Sequence, residues 1–207
     1  MIRGKTTVTC PACSTKTQVD LVQSINTHEN PTDKGKLLAG ELNVLECPNC
    51  NKRTQLAANV LYRDVDADYY CQVVPGDENA MTGASAAFSA SGASGTHRLV
   101  PSLNALVEKI KIVDAKLADW AIEMNKVLLL ASIGDLDRVM LFDGIDGEVI
   151  QWILFDADGR MPQRQSSPKS AYTKLAGRMQ GAPKSSELRI DRAWAVDAVK
   201  KMIGAAN

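Results

Sequence analysis

Two copies of one tetrapeptide, Cys10-Pro11-Ala12-Cys13 and Cys47-Pro48-Asn49-Cys50, constrain this chain more than anything else in its 207 residues. Each pair sets two thiolates across a tight turn, the bite that a tetrahedral metal requires. The proline after the first cysteine fixes φ near about −65° and helps shape that turn. A lone C-x-x-C serves redox chemistry, a cluster or nothing at all. Two copies with the same internal proline, and 33 residues between Cys13 and Cys47, point to a single ribbon-like site. Its ligands are Cys10, Cys13, Cys47 and Cys50, and its cofactor is structural zinc. A pair of disulfides or an iron–sulfur or redox site are the alternatives.

The chain is longer than most single domains, so one large or two smaller domains are expected. At 45% hydrophobic and 23% charged residues it has the composition of an ordinary globular protein. No apolar run approaches the roughly 20 residues of a membrane span, and Val127 to Ala131 is the longest. The start, MIRGKTTVTC, lacks the apolar core of a signal peptide. These features predict a cytoplasmic protein with no membrane association. Thiols stay reduced in that compartment, which favours metal over disulfides. The fifth cysteine, Cys71, lies in Tyr69-Tyr70-Cys71-Gln72-Val73 and reads as a buried strand residue.

The predicted fold class is α+β, a zinc-ribbon-like β-rich amino-terminal module followed by a helical and β-hairpin carboxy-terminal domain. Residues 1–75 read as strands around the two knuckles with a short helix after Asn30-Pro31, closed by Gly40. They offer little apolar surface, so metal is expected to be needed for folding. Residues 76–97, rich in Gly, Ala and Ser, read as a flexible linker. Residues 98–207 form the second domain, opening with apolar positions at helical spacing from Leu103 to Ala131. That stripe is either core, as one helix or two broken near Asp114, or a dimer seam over 102–131 centred on Leu117, Trp120 and Met124. Strands at Arg138–Phe142 and Glu148–Phe155 flank an expected turn from Asp143 to Gly147. A helix over 170–180, a strand over 188–190 and a last helix capped by Asp191 complete the reading.

The motifs place the chain beside a known group. It resembles the bacterial and archaeal CpXC proteins, named for the paired Cys-Pro-x-Cys motif. The likeness extends to Ser24-Ile25-Asn26, Asn30-Pro31, the run Leu38-Ala39-Gly40-Glu41-Leu42-Asn43 and Leu61-Tyr62-Arg63-Asp64. It covers residues 1–75 well, and Leu106 to Ile110 looks like the downstream region of many members. The resemblance implies a metal-binding module and no particular activity. Asn51 stands where ribbons often have glycine, and asparagine tolerates the left-handed conformation needed there.

Four thiolates leave no open coordination position, which argues against zinc hydrolysis and makes an enzyme the less favoured class. Lys16, Lys52 and Arg53 stand near the knuckles, where they either offset the charge of a zinc–thiolate centre or touch phosphate. Asp64, Asp66 and Asp68 have calcium-loop spacing, but Tyr69 and Pro75 occupy positions that need glycine and glutamate. Asp143, Asp146 and Glu148 read as hairpin-turn residues; Ser166 and Lys169 have S-x-x-K spacing without its companion motifs. His28 and His97 are the two histidines, neither with a convincing nucleophile. Residues 98–159 carry six basic and eleven acidic side chains, and 160–207 carry ten basic and three acidic. These regions either neutralise each other or leave a basic surface for an acidic partner. The expectation is a zinc-stabilised binding or adaptor protein with a protein partner; a nucleic-acid binder using the ribbon and the basic region is the second reading, and an enzyme with a site in the carboxy-terminal domain the third.

Overall fold

The computed structural model describes residues 2–90, 94–178, 183 and 187–204. These residues hold eleven strands and six helices, a mixed α+β fold. The chain divides into two compact units, Met1–Val107 and Glu108–Asn207.

The first unit begins with a two-stranded antiparallel hairpin, β1 (Arg3–Thr9) and β2 (Lys16–Val22). Alternation turns Val8, Val19 and Leu21 inward and leaves the lysines and glutamine in solvent. Then come β3 (Ser24–Asn26), helix α1 (Pro31–Leu38) and a second, shorter hairpin, β4 (Val44–Glu46) with β5 (Arg53–Gln55). Pro31 opens α1 where a missing N–H costs nothing, and Gly40 closes it at φ +69°. Strands β6 (Val60–Asp64) and β7 (Tyr69–Val73), helix α2 (Glu78–Ala90) and strand β8 (Thr96–Val100) follow. A four-stranded sheet runs in the order β3-β6-β7-β8, with β3–β6 and β7–β8 parallel and β6–β7 antiparallel. Val60, Tyr62, Cys71 and Val73 line one of its faces and are buried, Cys71 as the apolar strand residue expected of it.

Residues 76–97 are not the linker that their composition suggests. They carry all of α2 and the start of β8, and both belong to the first unit. The Asp77 carboxylate caps α2 by accepting from the Ala80 amide at 3.0 Å. Met81 is buried, and the Phe88 ring meets His97 edge-on with centroids 4.9 Å apart. Alanine is the strongest helix former, so an Ala-rich run with a cap and two apolar anchors orders itself. Gly95 is required sterically, since a Cβ there would fall 2.6 Å from the Asp68 carbonyl oxygen.

Helix α3 (Leu103–Asp114) starts on Ser102, whose hydroxyl accepts from the Ala105 amide at 3.2 Å. The chain breaks at Lys116, φ +55°, and resumes as α4 (Asp119–Ser132). The apolar stripe is thus two helices broken just after Asp114, as the core reading expected. The second unit adds β9 (Val139–Asp146), β10 (Val149–Phe155), β11 (Gln163–Pro168), α5 (Lys169–Arg178) and α6 (Arg192–Gly204). Its sheet is antiparallel in the order β11-β10-β9. Ile122 and Leu130 of α4 pack with Met140, Phe142, Ile150, Trp152 and Leu154 of the sheet. Trp120, Met124 and Val127 pack with Leu175 of α5 and Val199 of α6. Trp120 is 9% exposed and Met124 fully buried, and Leu117 packs against the sheet cluster, so the residues expected at the centre of a dimer seam lie within the core of their own unit.

The expected turn from Asp143 to Gly147 is displaced. Strand β9 continues to Asp146, the turn is Gly147-Glu148, and Asp143 sits where the register shifts between Gln151 and Trp152. The Asp-Gly pair marks a bulge, not a reversal. Residues 188–190 form no strand, and residues 179 and 180 of the helix expected over 170–180 lie outside the described residues. Asp191 does cap α6, accepting from the Trp194 amide at 3.0 Å.

Candidate metal centre

The four motif cysteines stand in the turns of the two ribbon hairpins, Cys10 and Cys13 between β1 and β2, Cys47 and Cys50 between β4 and β5. The two turns are built alike. The Ser14 amide donates to the Cys10 carbonyl at 2.9 Å, and the Asn51 amide donates to that of Cys47 at 2.8 Å. The Cys10 amide donates to the Thr15 carbonyl, and the Cys47 amide to that of Lys52. Ser14 and Asn51 both take the left-handed conformation, at φ +59° and +56°. Asn51 therefore fills the position at which the sequence predicted it. Ser14 fills the matching position in the first turn, which serine does not advertise.

Sγ of Cys13 and Cys47 lie 3.5 Å apart, and those of Cys10 and Cys50 lie 3.7 Å apart. All four sulfurs fall within 4.8 Å of one another. A tetrahedron with metal–sulfur bonds of about 2.3 Å has edges of about 3.8 Å, so the cluster has the size to hold a metal ion. All five cysteines are unbridged. Among the described residues, no other group of three or more His, Cys, Asp or Glu side chains is close enough to share an ion.

The electrostatics of the bare thiols point the same way. The Thr15 hydroxyl, its backbone amide and Asn49 pull the Cys13 thiol down to about 5. At Cys50 the Lys52 amide also pulls down, but the sulfurs of Cys13, Cys47 and Cys10, together with desolvation, outweigh it and push that thiol up to about 12. Four thiolates this close repel one another, and a dication between them removes the conflict. Behind the sulfurs, Leu45 and Leu56 are buried with Cys10 and Cys47, and Val8, Val19 and Leu21 pack against them. Lys16, Lys52 and Arg53 are exposed.

A model of the CpXC protein family matches residues 8–126, more than half of the chain. The chain belongs to the CpXC family. The match takes in both cysteine turns, β2, the second hairpin, the four-stranded sheet, α3 and the first half of α4. No curated protein and no solved structure matches this CpXC chain.

The remaining candidates are dispersed. Asp64 is buried beneath the Tyr62 hydroxyl (2.8 Å) and Lys34 (3.2 Å), whereas Asp66 is exposed beside His28 Nε2 at 2.8 Å. They share no cation site. His97 Nε2 lies 2.6 Å from the Ser94 carbonyl and its ring lies against Tyr70. Asp143 is held by Lys111 at 2.7 Å, Asp146 ends β9, and Glu148 is in the turn. Ser166 is exposed on β11 and Lys169 opens α5.

One buried cluster escaped the sequence reading. Lys109 donates to Asp119 and Glu123, both at 3.3 Å, and to the Ile190 carbonyl at 2.8 Å. Lys126 reaches both carboxylate oxygens of Glu108 and, at 2.9 Å, Glu123. Glu108 also accepts from the Phe142 amide at 2.7 Å. Burial pushes the Glu108 carboxyl up despite Lys126. For Glu123 burial also pushes up, but Lys126 and Lys109 outweigh it and hold that carboxyl below the usual range. All five side chains are buried and mutually satisfied, which is the arrangement of a structural network, not of an accessible catalytic group.

Proposed function

We propose that this chain is a zinc-stabilised binding or adaptor protein, in which a four-thiolate zinc site organises the amino-terminal ribbon and a protein partner is engaged elsewhere on the surface. The observation that supports it is the set of four sulfurs from two equivalent turns, at the spacing of a tetrahedral thiolate shell. Zinc suits such a shell better than harder cations, which prefer oxygen. With every position taken by protein, the ion supplies cohesion and no open site for hydrolysis. Unbridged cysteines fit a reducing compartment, and the cytoplasm is the proposed location. No helix among the described residues is long and apolar enough to cross a membrane.

A basic surface supports the partner reading. Arg164, Lys169, Lys174 and Arg178 fall in a stretch without a carboxylate, on an edge strand and the helix after it. The Arg164 side chain is 83% exposed. The same surface supports the second reading, a nucleic-acid binder. Metal analysis of protein purified without chelator tests the zinc site, with about one equivalent expected and iron or none refuting it. Titration with random-sequence DNA and RNA separates the two partner classes. Binding that collapses between low and physiological salt supports nucleic acid, and its absence supports a protein partner.

A further inference from the structure

The two hairpins that carry the cysteines are separate sheets, β1–β2 and β4–β5, and no strand of one pairs with a strand of the other. Their tips nevertheless stand at metal-binding distance. A joint at their bases acts together with the packing of Leu45 and Leu56 against Val8, Val19 and Leu21. Val22 is the last residue of β2, and Asn43 immediately precedes β4. The Val22 amide donates to Asn43 Oδ1 at 2.8 Å, and Asn43 Nδ2 donates to the Val22 carbonyl at 2.9 Å. One side-chain amide thus imitates the paired donor and acceptor of an antiparallel strand neighbour.

The other end of Asn43 closes its own hairpin. Its carbonyl accepts from the Leu56 amide at 2.8 Å and from Gln55 Nε2 at 3.1 Å, and the same Nε2 reaches the Leu42 carbonyl at 2.6 Å. Asn43 is 5% exposed and takes φ +54°, a conformation asparagine adopts more readily than most residues. Leucine would fill the space but would leave both Val22 groups without their partner. Aspartate would keep the acceptor and lose the donor.

We propose that Asn43 is the positioning residue of the metal site, its side-chain clasp on Val22 setting the separation of the two cysteine pairs. This rests on the metal-binding reading above. Groups beyond the ligands that fix ligand placement typically change metal affinity by about 10–100-fold when lost.

Cobalt(II) is the probe, because its absorption bands report both thiolate ligation and tetrahedral geometry. Asn43→Gly accepts the same positive φ and removes the clasp, and Asn43→Asp keeps its acceptor while losing its donor. Tyr62→Phe, which removes the hydrogen bond to Asp64 in the four-stranded sheet, is a control for stability alone. Each variant is titrated in competition with a chelator, with hydrogen exchange of β6 and β7 monitored to establish that the sheet is folded. Asn43→Gly is expected to bind cobalt about 10–100-fold more weakly, with shifted d–d bands, Asn43→Asp to lie between it and the wild type, and Tyr62→Phe to be unchanged. Asn43→Gly binding within twofold of wild type with the same spectrum overturns the proposal, as does an equal loss in Tyr62→Phe. A wild-type chain that takes up no cobalt overturns the metal reading itself and this proposal with it.

Discussion

Lys126 holds Glu108 by both carboxylate oxygens, at 3.0 and 3.2 Å, inside a unit where both residues are buried. Lys126→Met would leave Glu108 and Glu123 buried without their shared cation. Breaking a buried pair from one side costs about 3–5 kcal/mol. The expected outcome is loss of that stability in chemical denaturation of the second unit. Combining Lys126→Met with Glu108→Gln recovers part of the loss, because fewer charges stay uncompensated. Equal costs for the single and double variants would mean that the pair contributes nothing specific.

Trp120→Glu places a carboxylate between α4 and α6. Burying an unpaired charge is expensive, so the second unit is expected to lose cooperative unfolding while the first keeps its own. Near-ultraviolet circular dichroism and light scattering distinguish the outcomes. A folded variant of lower mass than wild type would show that the stripe serves self-association.

Cys47→Ser removes one ligand and a buried sulfur. Amide exchange in β1, β2, β4 and β5 is expected to lose protection, with α4, β9 and β10 unaffected. Protection lost across the whole chain would show that the second unit depends on the metal as well.

The pH dependence of the first unit follows from Asp64. Burial pushes its carboxyl up, but the Tyr62 hydroxyl and Lys34 outweigh that, so it is held below its ordinary value of 3.8. A carboxyl depressed on folding contributes stability that is complete above its unfolded pKa of about 3.9. That contribution is lost as pH falls through the lower folded value. In thermal melts from pH 6 downward, Asp64→Asn is expected to be less stable than wild type at neutral pH and to converge on it in acid. A constant difference at every pH would refute the linkage.

The parts of this fold that were legible in the sequence are those whose signal is local. Each Cys-Pro-x-Cys turn contains its own chemistry within four residues, so the four cysteines that cluster and Asn51 stood out. Asp191 was also visible, and a break near Asp114 stood among the alternatives, because caps and stops act over one helical turn. What stayed hidden depends on distant partners. Strand β11, QRQSSP, has no apolar alternation, and its pairing with β10 makes it a strand. The Lys126–Glu108 pair joins residues 18 apart in sequence on two helices. Asp143-Gly144 reads alike as a turn or a bulge until the register of the opposite strand decides it. The helix α2 was missed for a different reason, its alanines being counted with the glycines and serines around them.

Among the fully or nearly buried side chains of the sulfur cluster, only Leu45 and Leu56 are not cysteines. With the proposed metal bound, a subdomain with so small an apolar interior would draw cohesion from outside the chain, in proportion to the logarithm of free metal over the dissociation constant. Its folded fraction is then a property of the surrounding medium as much as of the polypeptide. Tenfold less available metal would withdraw about 1.4 kcal/mol from the ribbon once binding is saturating, without altering a single residue. Through that dependence the stability of the two cysteine hairpins would follow the metal content of their surroundings.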